Sequence, residues 1–431
     1  MFKNFLFPFK QTILDKSISL DVALFSILFF CLPIVLITGP AIPDIFLSLI
    51  ALFFLVKSVL MRLWKYYKNP LVFGFLIFSF YGIIRSLFTD IPIESLTNEG
   101  SVFYFRYIFF AMGTWYLLDN NPYLSKCLLI VSIACLVLVS FDGLFQYLTG
   151  FDFFGTQALS LYRISGLFGN EPIMGRYIAL ISIFTFALIY QNLANSKIAY
   201  MLSVAFLVMS EVIVFLSGER VPLFHVTLFT ILILIFIPHY RIYRLVGIFA
   251  SFILIIVILQ INPNAKERMI NQTLIEMSET NYPLLPYNVA YQEHYSSAIK
   301  MFNDSPVFGV GTNTYRFQSQ KSKFNSDKID INSHPHQFYL QALAELGIIG
   351  FLFLCSFFLF LTYLLIRQFF CIIKSKNSQL ISFDQFLFSL ILFTYWWPLI
   401  PHMSLYNNWN NILLMLPLGF FMKGFYGKKN I

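Results

Sequence analysis

Apolar runs close to twenty residues long, broken by short polar punctuation, dominate the chain. They fall at 18–38, 41–61, 70–88, 102–118, 127–147, 175–192, 199–217, 221–237, 245–261, 346–370, 382–400 and 409–426. Each is long enough to cross about 30 Å of hydrocarbon as a helix. The pattern predicts an all-α fold, a polytopic membrane bundle of about twelve transmembrane helices. One connection breaks the rhythm. Segment 262–345 is polar, rich in aromatic residues and partly helical in pattern. A connection that long is usually functional, and we expect a folded cap over the bundle. The chain therefore divides into 1–261 with the N-terminal helices, the 262–345 loop, and 346–431 with the C-terminal helices.

Composition agrees. Hydrophobic residues make up 58% of the 431 positions and charged residues 12%, a charge fraction about half that of a soluble domain. The 53 Phe and 24 Tyr suit lipid-facing and interfacial positions. The start, MFKNFLFPFKQTILDKSISL, is basic and moderately apolar. No small-residue cleavage site follows the first long run, so no cleavable leader is expected. All five cysteines lie in or beside apolar runs, which argues against a disulfide framework or a cysteine metal site.

The net charge of +8 could signal an anionic partner, but its distribution has a simpler cause. With the N-terminus cytoplasmic, inside segments carry Lys3, Lys10 and Lys16; Arg62, Lys65 and Lys68; Lys126; Lys197; Arg241 and Arg244; Lys374 and Lys376; Lys428 and Lys429. The outside loop 89–101 holds Asp90, Glu94 and Glu99 instead. That is the positive-inside arrangement, and it places both termini in the cytoplasm and the long loop outside.

Four outward-facing stretches carry candidate chemistry. INSHPHQFYLQALAELGIIGF, 331–351, sets His334 and His336 either side of Pro335. Proline suits a first helical turn, so a helix is expected to begin there, with His336, Leu340, Leu343 and Gly347 on one stripe facing the bundle. A histidine at the positive end of a helix dipole tends to stay neutral, able to accept a proton near pH 7. The competing reading is an interfacial histidine that caps the helix. Metal binding has little support, because His294 is the only other histidine in the loop and no cysteine accompanies it.

FLSGERVPLF, 215–224, compresses Glu219 and Arg220 into a tight outer turn between two spans. An arginine there can hold a phosphate through two parallel hydrogen bonds; alternatively it snorkels and pairs with Glu219. YRISGLFGNEPIMGRYIAL, 162–180, sets Arg163 and Arg176 among glycines. That suits an anionic headgroup or interfacial anchoring equally well. VAYQEHYSSAIKMFNDSPVFGVGTNTYRF, 289–317, reads as a helix followed by a glycine turn with close backbone approach, ending near Arg316. No strand precedes its GVG, so nucleotide binding is not indicated.

Together these motifs resemble the O-antigen ligase and O-antigen polymerase superfamily of integral-membrane glycosyltransferases. SGER is similar to the family's short outer turn with its arginine. FNDSPVFGVGTNTYRF resembles its loop turn. HPHQFYLQALAELGIIG resembles its histidine followed by a glutamate and a glycine pair entering a span, and RISGLFGNEP resembles its loop before a span. The resemblance implies a GT-C-like bundle in a bacterial inner membrane with the active site facing the periplasm. It implies undecaprenyl-diphosphate-linked glycan donors and an inverting reaction without metal or other cofactor. It makes His336 the catalytic base and Arg220 a diphosphate ligand, with Arg163 and His334 as further donor contacts. Many relatives carry an arginine in the loop helix. Here that neighbourhood reads LPYNVAYQEHY, and His294 or Arg316 is expected to substitute.

A ligase would move the glycan onto lipid A–core; a polymerase would move it onto a lipid-linked repeat unit. We favour the ligase. A lipid-linked oligosaccharide flippase is the reading from another class. A transporter should place charge at the membrane midplane, where only Asp142 and Glu211 stand out.

Overall fold

The computed structural model describes residues 2–160, 163–193, 196–237, 241–278, 289–325, 334–373 and 383–427. Helices occupy all the stretches marked by the apolar runs: α1 (Leu20–Thr38), α2 (Ala41–Leu60), α3 (Pro70–Leu87), α4 (Arg106–Asn120), α5 (Leu124–Thr149) and α6 (Met174–Asn192). They continue with α7 (Lys197–Leu216), α8 (Arg220–Phe236), α9 (Arg241–Ile261), α10 (Phe338–Ile373), α11 (Phe383–Tyr395) and α12 (Asn408–Tyr426).

Among the described residues, eight are long and apolar enough to cross a membrane: α1, α2, α3, α5, α6, α7, α9 and α10. The others are shorter or more polar. α4 has 15 residues, α8 has 17 and α11 has 13, while α12 opens on Asn408-Trp409-Asn410-Asn411. Their surroundings explain this. α4 and α12 are buried almost throughout Tyr107–Leu118 and Trp409–Met422. A helix surrounded by protein can carry polar groups that a lipid-facing helix cannot. α4 packs against α2 and α12, α6 against α5, α7 and α8, and α11 against α12.

The two ends of the bundle differ. At one end Lys65 and Lys423 meet Asp119, and Asn121 bonds Thr12 and Ser26. Of the basic residues counted toward that side, Lys374, Lys376, Lys428 and Lys429 lie outside the described residues. The opposite end gathers the long connections: Asn98 bonds Asn313, Arg106 bonds Asn408, and Arg268 reaches the Gly218 carbonyl.

The 262–345 connection supplies a helix, Val289–Asp304, that packs on α10. Ala298, Met301, Val310, Tyr315, Phe324 and Ala344 form a small core of their own, with Leu340 against it. α10 runs from this cap into the bundle and breaks at Gly347 (φ +65°, ψ −163°). The break lets Ile348 N–H bond Pro306 O at 2.9 Å.

One expectation is corrected here. His336 is not in the first turn of a helix. α10 begins at Phe338, and His336 precedes it in the left-handed region with φ +51°. Gln337 takes the capping position instead, its Oε1 accepting Leu340 N–H at 2.8 Å. The expected stripe fails with it. Leu340 and Leu343 are half-buried, whereas Phe338, Tyr339, Gln341, Ala342, Ala344 and Glu345 are buried. Polar Gln341 and Glu345 face inward because the loop turn needs their oxygens.

Candidate functional site

The cap is first of all a piece of anchoring. The glycine turn lies along α10, with Val310 N–H on Ala344 O at 2.9 Å and Gly311 N–H on Glu345 O at 3.0 Å. The buried Glu345 carboxylate accepts Tyr315 N–H at 2.8 Å and Asn313 N–H at 3.1 Å. From the other side, Arg85 donates to Phe308 O and Gly309 O. Gly309 (φ +71°) is required: a Cβ there would lie 2.3 Å from the Glu345 carbonyl carbon. The "glutamate and glycine pair" of the sequence motif is therefore scaffold.

The SGER turn is positioned just as closely. α7 ends at Leu216 and α8 starts at Arg220, with Glu219 between them. Glu219 does not pair with Arg220. Its carboxylate turns back to accept Gly175 N–H at 2.6 Å and Arg176 N–H at 3.3 Å, capping the start of α6. Only glycine fits at 175, where a Cβ would meet Ser217 Oγ at 2.4 Å. Burial pushes the Glu219 carboxyl up to about 7, against the opposing pull of these N–H donors and of Arg176 and Arg163.

Arg220 points to the cap. Its Nη1 donates to the Glu276 carboxylate and its Nη2 to Arg268 O at 3.0 Å. Burial and the neighbouring charges of Arg220 and Arg163 push the Arg268 guanidinium below its ordinary value.

The second group is imidazole. Ring centres of His336 and His334 lie 4.2 Å apart, His336 and His294 5.1 Å, and His336 and Tyr291 4.8 Å. The backbone of His336 is pinned by His402 N–H to His336 O at 2.7 Å. Burial pushes His336 down to about 4, with the charges of His294 and Arg176 acting in the same direction. His294 is lowered and His334 well below its usual value, both chiefly by burial. All three are neutral at pH 7. His334 Nε2 and His294 Nδ1 are buried without a partner among the described residues.

Of the chain's 6 histidines, His294, His334, His336, His402 and His225 are linked in this one region by ring contacts, backbone bonds or charge. Arg316 acts on His334, and Arg176 acts on His336. Tyr291 joins the halves: it touches the His336 ring and lies within electrostatic reach of Arg176 and Arg268.

Each residue picked from the sequence thus lies at this end of the bundle. His294, Arg316 and His334 fall on the His336 side; Arg163 falls with Arg220. Sequence reasoning missed Arg268, Glu276, Tyr291, His225 and His402. Arg268 and Glu276 stand in a stretch without motif, and His402 comes from the α11–α12 connection. Only the scarcity of histidine hinted at the last. Chemically, the arrangement offers neutral proton acceptors beside a cationic wall.

No curated protein matched the chain. Residues 203–355 match the family model described as O-antigen ligase, a segment that runs from α7 into α10 and includes Arg220, Arg268, His294, Arg316, His334 and His336. By this match the chain belongs to the O-antigen ligase and O-antigen polymerase superfamily.

Proposed function

We propose that the protein transfers a glycan from undecaprenyl diphosphate to lipid A–core at the periplasmic face of the inner membrane. One observation carries most of the reading: a neutral, half-buried His336 beside a group of arginines, on the cap side of the bundle. The acceptor hydroxyl attacks the anomeric carbon as its proton passes to the His336 imidazole. The carbon–oxygen bond to the diphosphate breaks, and the leaving group departs with the electron pair. Guanidinium donors stabilise that charge, so no acid is needed to expel it. Attack from the opposite side inverts the anomeric centre. Arg220 is the principal diphosphate ligand; Arg163, His294, Arg316 and His334 line the approach.

The flippase reading gains nothing from the membrane interior. Asp142 accepts Phe153 N–H at 2.8 Å and Glu211 accepts the Thr230 hydroxyl at 3.1 Å, each a local contact. Deletion of the gene, followed by a surface-polysaccharide gel, tests the proposal. Polymer retained on the lipid carrier with bare lipid A–core supports the ligase. Core bearing one repeat unit would make it a polymerase, and repeat units trapped on the cytoplasmic side would make it a flippase. In a cysteine-free background, Lys300→Cys should react with an impermeant thiol reagent in spheroplasts and Lys68→Cys should not. The reverse pattern would turn the site to the wrong side.

A further inference from the structure

Arg163, Arg220 and Arg268 come from three separate segments: the loop before α6, the start of α8, and the turn Glu267–Asn271 after α9. The charges of Arg163 and Arg220 both act on Arg268. One carboxylate, Glu276, answers Arg220. The Nε groups of Arg163 and Arg220 are buried with no partner among the described residues. Buried N–H donors of a guanidinium are costly to leave unmatched, and their natural complement is an oxyanion with several acceptor oxygens.

Arg268 is itself held firmly. Its Nη1 donates to Gln272 Oε1 at 3.1 Å, its Nε faces Gly218 O at 3.4 Å, and its carbonyl receives Arg220. Glu276 is not. It rides on the short helix Gln272–Ser278, which buries none of its residues. A helix with so little buried surface can swing aside at small cost. The Glu276 carboxylate thus stands where an anionic oxygen of a ligand would stand, on a mount that can leave.

We propose that Arg268 is a second ligand of the donor diphosphate and that Glu276 is a resident counter-ion which the diphosphate displaces. The inference rests on the glycosyl-transfer reading above. It also moves the second phosphate contact from the loop helix to the turn after α9. A diphosphate carries more negative charge than one carboxylate, so the exchange leaves the arginines better neutralised. Between donors, the counter-ion keeps the cluster from trapping lipid headgroups of lower charge.

The test is binding of undecaprenyl diphosphate and undecaprenyl monophosphate to the purified full chain in nanodiscs, without acceptor. Glu276→Gln should tighten diphosphate binding roughly tenfold, the scale of one charged hydrogen bond, and the monophosphate less. Arg268→Ala should weaken diphosphate binding by a similar factor, with Arg268→Lys partly restoring it. A merely structural ion pair predicts the opposite for Glu276→Gln, namely weaker or unchanged binding, and that result would overturn the proposal. So would wild-type binding in both Arg268 variants. If the variants behave as expected and the wild type still transfers no glycan, the anion site stands and the glycosyl-transfer reading falls. If transfer occurs while these variants bind normally, only the present inference falls. A wild type that binds neither lipid sinks both.

Discussion

Two short straps reach the first turns of α10, and they are built to opposite rules. The glycine strap, 305–315, has its backbone matched at Val310, Gly311, Asn313 and Tyr315. The histidine strap, 334–337, is anchored by His402 N–H and by the Gln337 side chain to Pro398 O, yet leaves His334 Nε2 buried and unmatched. Motif residues that stand close in sequence therefore divide. Gly309, Gly347 and Glu345 hold the cap; His336 and its neighbours are held by it, ready for something that is not protein. Unspent hydrogen-bonding capacity separates the two.

The sharpest way to break this division is to attack the scaffold. Gly309→Ala places a Cβ against Glu345 backbone at a positive φ, which should cost roughly 3 kcal/mol or more. Glu345→Ala strands two buried N–H groups, at about 1–3 kcal/mol each. Both should lower the yield of monodisperse protein, seen by size exclusion, along with activity. A stable, well-folded but inactive Glu345→Gln would move Glu345 into the chemistry and erase the distinction.

On the other strap, His336→Ala should keep the fold and lower transfer by about 10²-fold, the scale of a lost general base. His334→Ala should be milder and act on the apparent donor KM. Steady-state kinetics with a lipid-linked donor decide it; a dead His334→Ala beside a near-normal His336→Ala reverses the assignment. Arg220→Lys keeps the charge but loses the fork, and roughly tenfold lower activity at normal protein level is expected. Unchanged turnover in Arg220→Lys and Arg220→Ala alike reduces Arg220 to an interfacial anchor.

The smallest effect is in pH. A base works only while unprotonated, so transfer falls as pH drops through the His336 value. In the free protein that limb, read in kcat/KM, should lie near pH 4. A bound diphosphate adds negative charge nearby and favours the imidazolium, so the limb in kcat should lie at higher pH. Coincident limbs would separate His336 from the diphosphate.

Much of the fold is legible in the sequence because hydrocarbon imposes one length and one polarity on a crossing helix. α4, α8, α11 and α12 depart from it where protein replaces lipid around them, a fact no local window contains. In the site, Arg220 and His336 announce themselves by standing where charge or imidazole is unusual. The partners do not. Glu219 looks like the partner of Arg220 because it is adjacent, yet an N-terminus on α6 outbids it for the carboxylate. Proline before His336 suggests helix, but Gln337 offers a better cap and pushes His336 out of it.

The hydrogen bond from His402 to His336 also sets an order in time. Ribosomes deliver the chain from its N-terminus, and every residue of the matched segment 203–355 has emerged before His402 is made. Until α11 and α12 have been inserted and folded back, nothing clamps the histidine strap in its left-handed pose. An unfinished chain in the bilayer thus carries the full set of motifs without a finished centre. The same holds for one truncated after α10.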